Sequence, residues 1–273
     1  MSGQRQNFWS LLKIEWKRSL WEERKKYIFV FALGILYFLW GLRNTYFIKN
    51  STGTFRMIGF FDYMSGLFGG VADPMPDPFW ILTMVIFCYT ISAHFSDKVK
   101  NYENQVQIRA GNRKVWWEVK CAWSILNALL FYGILAGESA IFSLLTKSGL
   151  YLSHAGNEGM YGWLIPIEKL AAQEQWIVCC LAPLTALICI GLIQTFLHLI
   201  FQDRMVMGIM IVWMFLSCFI KSLLMIGNWG MIARNSFVVQ NGFRMEGIFL
   251  TEMAVCVVVV WVGRKIAKED LRL

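Results

Sequence analysis

Charged residues are scarce in this sequence: they make up 16% of its 273 residues, against about 25% in an ordinary soluble domain. With 57% hydrophobic residues beside that shortage, a chain wetted on all sides is excluded, and lipid is its main solvent. Histidine numbers three. His94, His154 and His198 stand far apart and none precedes a glutamate, so the His-Glu-x-x-His zinc-protease pattern is missing. No Gly-x-x-x-x-Gly-Lys-Ser/Thr phosphate cradle occurs, nor a Gly-x-Ser-x-Gly nucleophile turn. If ATP powers the protein, another chain must hydrolyse it. Glu22 and Glu23 lie in a basic flank with no histidine-bearing motif beside them, and charge flanking accounts for them. None of the seven cysteines falls in a long polar loop, which argues against a disulfide framework. The adjacent Cys179 and Cys180 read as small packing residues rather than metal ligands, and no metal site is expected.

What is present is apolar run after apolar run. A span needs roughly 20 mostly apolar residues, and six stretches qualify, at 27–47, 79–95, 119–145, 176–201, 205–226 and 247–262. The expected fold is therefore all-α: a polytopic membrane protein of six transmembrane helices preceded by an amphipathic interfacial helix. Residues 1–26 form a cytoplasmic segment, 27–262 the transmembrane domain and 263–273 a cytoplasmic tail. Only Gln202, Asp203 and Arg204 separate the fourth and fifth spans, which predicts a tight helical hairpin. Pro74, Pro76 and Pro78 force a rigid, non-helical entry to the second span. A long charged segment precedes the first run and lacks a small-residue cleavage site, so no cleavable signal is expected.

The formal net charge of +8 is a topology signal rather than a mark of nucleic acid, because the charges cluster beside spans. Eighteen Lys and Arg fall on the side of the N-terminal segment, the loop after the second span, Arg204 and the tail, against seven on the other side. The positive-inside rule then puts both termini in the cytoplasm of a cell-membrane protein.

Three features bear on function. In residues 7–26, helical spacing aligns Trp9, Leu12, Trp16 and Leu20 on one stripe with Lys13 and Lys17 beside it, where long stems reach headgroups. Leu11, Ile14 and Trp21 fall off the stripe. The segment is either an interfacial helix touching a cytoplasmic partner or a basic flank that sets orientation. The loop 96–120 is longer than a connector needs. It carries Gln107, Arg109, Gly111, Asn112, Arg113, Lys114, Trp116 and Trp117, with Gly111-Asn112 between two short helices, and is either a docking segment or an interfacial linker. Polar residues inside spans are costly and mark function or helix pairing. Lys221 and Glu252, toward the outer leaflet, either pair or snorkel. Glu138 lies near the outer end of its span, and Asn127, Gln194, Thr195 and His198 lie deeper, as candidates for a translocation path.

In these features the chain resembles the membrane subunits of ABC-2 type exporters. The likeness rests on the basic-aromatic helix before the first span, six spans with both ends inside, and the Arg-x-Gly-Asn-Arg-Lys-x-Trp-Trp turn of Arg109 to Trp117. The short charged exit Gly263 to Leu271 completes it. The resemblance implies that Gln107 to Trp117 couples to a cytoplasmic ABC ATPase subunit carrying ATP and Mg, with Trp9 to Trp21 packed beside it. It implies no cofactor on this chain, no enzyme activity of its own, and a second permease copy or a paralogue as partner within the lipid membrane. Aromatic-rich, weakly charged spans suit hydrophobic or amphipathic cargo. A non-transporting immunity or sensor protein is the alternative.

Overall fold

The computed structural model describes residues 2–52, 59–70, 77–95, 113–146, 170–239 and 241–269. Those residues are helical almost throughout: α1 (Ser2–Trp21), α2 (Lys25–Thr52), α3 (Phe60–Phe68), α4 (Pro78–Ser92), α5 (Arg113–Leu145), α6 (Ala182–Leu197), α7 (Asp203–Phe219) and α8 (Met245–Glu269). In hydrocarbon the backbone has no water to bond, so apolar runs close their hydrogen bonds within themselves as helices.

Five helices are long and apolar enough to cross a membrane: Lys25–Arg43, Pro78–Phe95, Arg113–Leu145, Gln173–Leu197 and Met245–Ala267. The helix expected across 205–226 is shorter. α7 has 17 residues, which at 1.5 Å each is about 25 Å against the roughly 30 Å of a hydrocarbon core. It stops where Ile220 turns extended (φ −107°, ψ 110°). α5, with 33 residues, is about 50 Å long and must project beyond the core.

Local chemistry explains several ends. Asp77 caps α4 by accepting the Phe79 N–H at 2.9 Å, and Pro78, at the first helical position, has no N–H to leave unpaired. Pro183 interrupts the rod that enters α6, having no N–H to offer the preceding turn. The turn before it, Ile177–Leu181, widens to π geometry, with the Ala182 N–H donating to the Ile177 carbonyl, and this absorbs the break.

α6 lies at the centre, against α5, α8 and α4. Gly191 lets the Ser124 hydroxyl come within 2.8 Å of where a Cβ would be, and Gly263 of α8 gives the same room to the Trp117 ring of α5. Trp117 also donates its indole N–H to the Val260 carbonyl at 3.0 Å. Phe38 of α2 stacks on Phe142 of α5, centroids 4.1 Å apart.

At the end remote from α1, the chain after α7 folds back into the bundle as two 3-10 turns, Ile226–Gly230 and Ile232–Arg234. Asn228, Trp229 and Arg234 are buried, while Phe237 stays outside. Arg234 donates to the Cys218 and Ile220 carbonyls at 2.7 and 3.0 Å and to Asn228 Oδ1 at 2.8 Å. It thereby satisfies carbonyls that the end of α7 would leave bare. Gly70 ends α3 at φ 82°, a left-handed turn suited to glycine. Beside it the Gly69 carbonyl accepts the Ala233 N–H at 2.9 Å.

Candidate functional site

At the α1 end of the bundle, six ionisable side chains are packed out of solvent. α1 brings Glu15 and Arg18, the turn after it Glu23, α2 Lys26, the 3-10 turn ending α4 His94, and α5 Lys120. Glu15, His94 and Lys120 are each 0% exposed. The seven-residue repeat of a helix face explains how α1 delivers them: Leu11, Leu12, Glu15, Arg18 and Ser19 share one side and all are buried. Glu15 is at the middle of that side.

The charges interlock. Glu15 lies 3.2 Å from Lys120 Nζ and 3.0 Å from His94 Nε2, with Arg18 at 3.7 Å. These are ion-pair distances at angles poor for hydrogen bonding. Arg18 donates through Nε to Glu23 at 3.1 Å and through Nη2 to the His94 carbonyl at 3.0 Å. Lys26 donates to the other Glu23 oxygen at 2.7 Å, and both Glu23 oxygens lie 3.0 Å from His94 Nδ1. His94 thus faces a carboxylate at each ring nitrogen, with Lys120 3.4 Å from Nε2.

Aromatic faces line the cluster. His94 stacks on Trp123 at 3.7 Å and 12°, Lys26 sits 5.0 Å over the same indole, and Lys120 sits 5.1 Å over Phe95. Such faces attract cations where water is absent. Burial works to raise the Glu15 carboxyl, but Lys120, the contact with His94 and the charge of Arg18 overcome it and hold the group at about 2. Glu23 follows the same balance: burial opposes ionisation, while His94 and Lys26 hold it well below the usual carboxylate range. Both are therefore carboxylates throughout the physiological range. Just inside lies a neutral chain: Ser19 and Tyr27 share a hydrogen bond at 3.0 Å, the Tyr27 hydroxyl donates to Asn127 Oδ1 at 3.0 Å, and Asn127 donates to Thr90 at 3.0 Å. Ion pairs and this chain together tie α1, α2, α4 and α5.

The stripe expected on α1 is divided by this docking. Trp9 is 66% exposed, with Lys13, Lys17 and Leu20 also outside, whereas Trp16 is half-buried and Leu12 buried. Among the expected docking residues, Gln107, Arg109, Gly111 and Asn112 lie outside the described residues. Arg113 and Lys114, half-buried, open α5, and Trp116 and Trp117 are buried within it.

The polar residues within spans go separate ways. Asn127 belongs to the chain above, and Gln194 donates to the Cys88 carbonyl and the Ser92 hydroxyl, both at 2.8 Å; Thr195 is buried beside it. His198 sits at the α6–α7 turn, 3.2 Å from Asp203 and stacked on Phe95 at 4.4 Å. Lys221 and Glu252 do not pair: Lys221 is exposed and donates to the Asn241 carbonyl, while Glu252 is buried on α8. Glu138 packs against Gly34 of α2.

The ionic cluster itself was missed in the sequence, and Glu23 is no mere flank, since its partner His94 lies 71 residues away. The one usable signal was a lone charge within an apolar surrounding, as at His94 and Lys120. Among the described residues no group of three His, Cys, Asp or Glu is placed to hold a metal ion. No family model, no curated protein and no solved structure matches the chain.

Proposed function

We propose that the chain is the membrane-spanning permease subunit of an ATP-driven exporter of the ABC-2 type, working with a cytoplasmic ABC ATPase that carries ATP and Mg. The observation that carries this reading is the buried ionic cluster joining α1 to the ends of three spans. Displacing α1 alone would pull Glu15 away from Lys120 and His94 in a dry site, so α1 moves with α2, α4 and α5 or not at all. A helix fixed in that way transmits a push from a partner directly to the spans.

The outer side of α1 suits the place where such a push would arrive. Lys13, Lys17 and Arg24 form a basic ridge, flanked by exposed Trp9, Leu20, Ile14 and Trp21, an arrangement that lies in the headgroup layer of an anionic leaflet. α1 also packs along the first turns of α5, which follow directly from the loop 96–112 that the resemblance makes the coupling segment. In this reading α7 is the sixth span, with both termini in the cytoplasm of the cell membrane. The permease pairs with a second copy or a paralogue and exports hydrophobic or amphipathic cargo.

The test is co-purification with a candidate ABC ATPase, sought first in the neighbouring reading frames. ATPase turnover should rise in the presence of the permease. Deleting 107–114, or reversing charge with Arg113→Glu and Lys114→Glu, should abolish recruitment while membrane insertion is unchanged. Recruitment and turnover indifferent to all of these changes would refute the proposal, as would the absence of any ATPase partner, which the immunity or sensor alternative expects.

A further inference from the structure

Among the described residues, two buried carboxyls of the membrane-spanning helices lie outside the ionic cluster. Glu138 of α5 is 8% exposed, and its Oε2 accepts no hydrogen bond. It lies so close to α2 that a Cβ on Gly34 would stand 1.7 Å from that oxygen; the missing side chain is what makes room for the carboxyl. Both helices are long and apolar enough to cross a membrane, and an uncompensated charge inside such a helix is poorly tolerated. The seam is open on one side, since Gly137 and Ile141, its neighbours on α5, face outward, and a Cβ on Gly137 would touch nothing.

Glu252 of α8 is more enclosed. It is 4% exposed, with the Thr185 hydroxyl and the Cys256 thiol as polar neighbours. The Cys189 thiol of α6 donates to its main-chain carbonyl at 3.7 Å, so the two helices are in contact where the carboxyl is buried.

No described basic residue supplies a countercharge. Lys26 and Lys120 are committed to Glu23 and Glu15, Arg234 is held by two carbonyls and Asn228, and Lys221 lies outside on a carbonyl. A buried carboxyl without a partner is relieved by taking up positive charge, either a proton or a cation that brings its own apolar cover. A laterally open seam between apolar spans is reached by molecules that partition into lipid.

We propose that Glu138 and Glu252 are cation-recognition sites within the membrane, and that the cargo is an amphipathic monovalent cation. This rests on the exporter reading and names its substrate class. A proton occupies each carboxyl when cargo is absent. When the cargo's positive group arrives the proton leaves to water, so each site stays neutral in both states. Glu138 meets cargo entering from the lipid, and Glu252 receives it within the α6–α8 contact.

The test needs only this chain, purified in lipid nanodiscs, with tetraphenylphosphonium as the cationic probe and triphenylphosphine oxide as the neutral one. Saturable binding of the cation is expected, weakened about tenfold or more in Glu138→Gln and in Glu252→Gln while the neutral probe is unaffected. In the unsubstituted protein, dicyclohexylcarbodiimide should modify Glu138 and Glu252, located by peptide mass spectrometry, and tetraphenylphosphonium should protect both. Lack of saturable cation binding, equal binding by the glutamine variants, or lack of protection would overturn the proposal. Because no ATPase is present, these failures leave the exporter reading standing. Intact cation binding with no ATPase partner would instead refute the exporter reading alone.

Discussion

Replacing Glu15 by alanine should release α1 from the bundle without unfolding the spans. Glu15 lies 3.2 Å from Lys120, and both side chains are 0% exposed. Lys120 also lies over the Phe95 face at 5.1 Å and the Trp116 face at 5.9 Å, neither of which replaces a carboxylate. Removing one member of a buried ion pair costs about 3–5 kcal/mol, because the other is left desolvated. At 1.36 kcal/mol per tenfold, that raises the opening equilibrium of α1 roughly a few hundred- to several thousandfold. Amide hydrogen exchange across residues 8–21 reads this directly, as lost protection confined to α1. The exposed Glu22→Gln change serves as the control and should leave protection alone. Pairing Glu15→Leu with Lys120→Met should recover much of the loss, since apolar groups of similar volume replace buried ion pairs at little cost. A change below about tenfold in α1 protection, or an equal loss across all the spans, would refute the claim that this cluster is what docks α1.

Acid should act on the same contact. The Glu15 carboxyl is held at about 2 against an ordinary 4.5, a depressed folded value, so its stabilisation is complete above pH 4.5 and is lost as pH falls toward 2. About 3 kcal/mol is at stake, with Glu23 adding in the same direction. Limited proteolysis of α1 between pH 6 and 2 should show release only below pH 4.5, and release on going upward from pH 6 would contradict it. Asn127→Ala leaves the Tyr27 and Thr90 hydroxyls without their shared partner and should cost about 1–2 kcal/mol, read as a lower thermal midpoint in detergent; an unchanged midpoint would mean those bonds are replaced. Gly263→Ala puts a methyl 2.3 Å from the Trp117 ring and should cost about 1–3 kcal/mol by overpacking. The companion change Trp117→Leu in the same chain should restore part of that stability, and no loss in the single variant would show that α8 moves aside freely.

Legibility in the sequence followed the range of the interaction. The apolar runs over α2, α4, α5, α6 and α8 were visible because hydrophobic length is a local property and a lipid-embedded backbone has little choice but helix. The turn expected at Gln202–Arg204 falls instead at 198–202, with Asp203 and Arg204 already in α7. Pro78 opens α4 as its first helical residue, while Pro74 and Pro76 lie outside the described residues. The end of α7 was not visible, since residues 220–226 are as apolar as a span. They leave the helix because Arg234, buried in the returning chain, takes up the α7 carbonyls, a partner fourteen and sixteen residues downstream.

The α1 face shows the limit most sharply. Hydrophobic periodicity selected Trp9, Leu12, Trp16 and Leu20 as the side that matters, and in the structure Trp9 and Leu20 lie outside. The buried side is centred on a glutamate, which no hydropathy pattern would choose, because Glu15 is tolerated there only through Lys120 and His94, 105 and 79 positions further along the chain. Composition and run length by themselves determined that this protein is a helical bundle in lipid. Which charges are hidden, and with what partners, was decided by tertiary packing, because the cost of burying a charge is set by the groups around it and not by its neighbours in sequence.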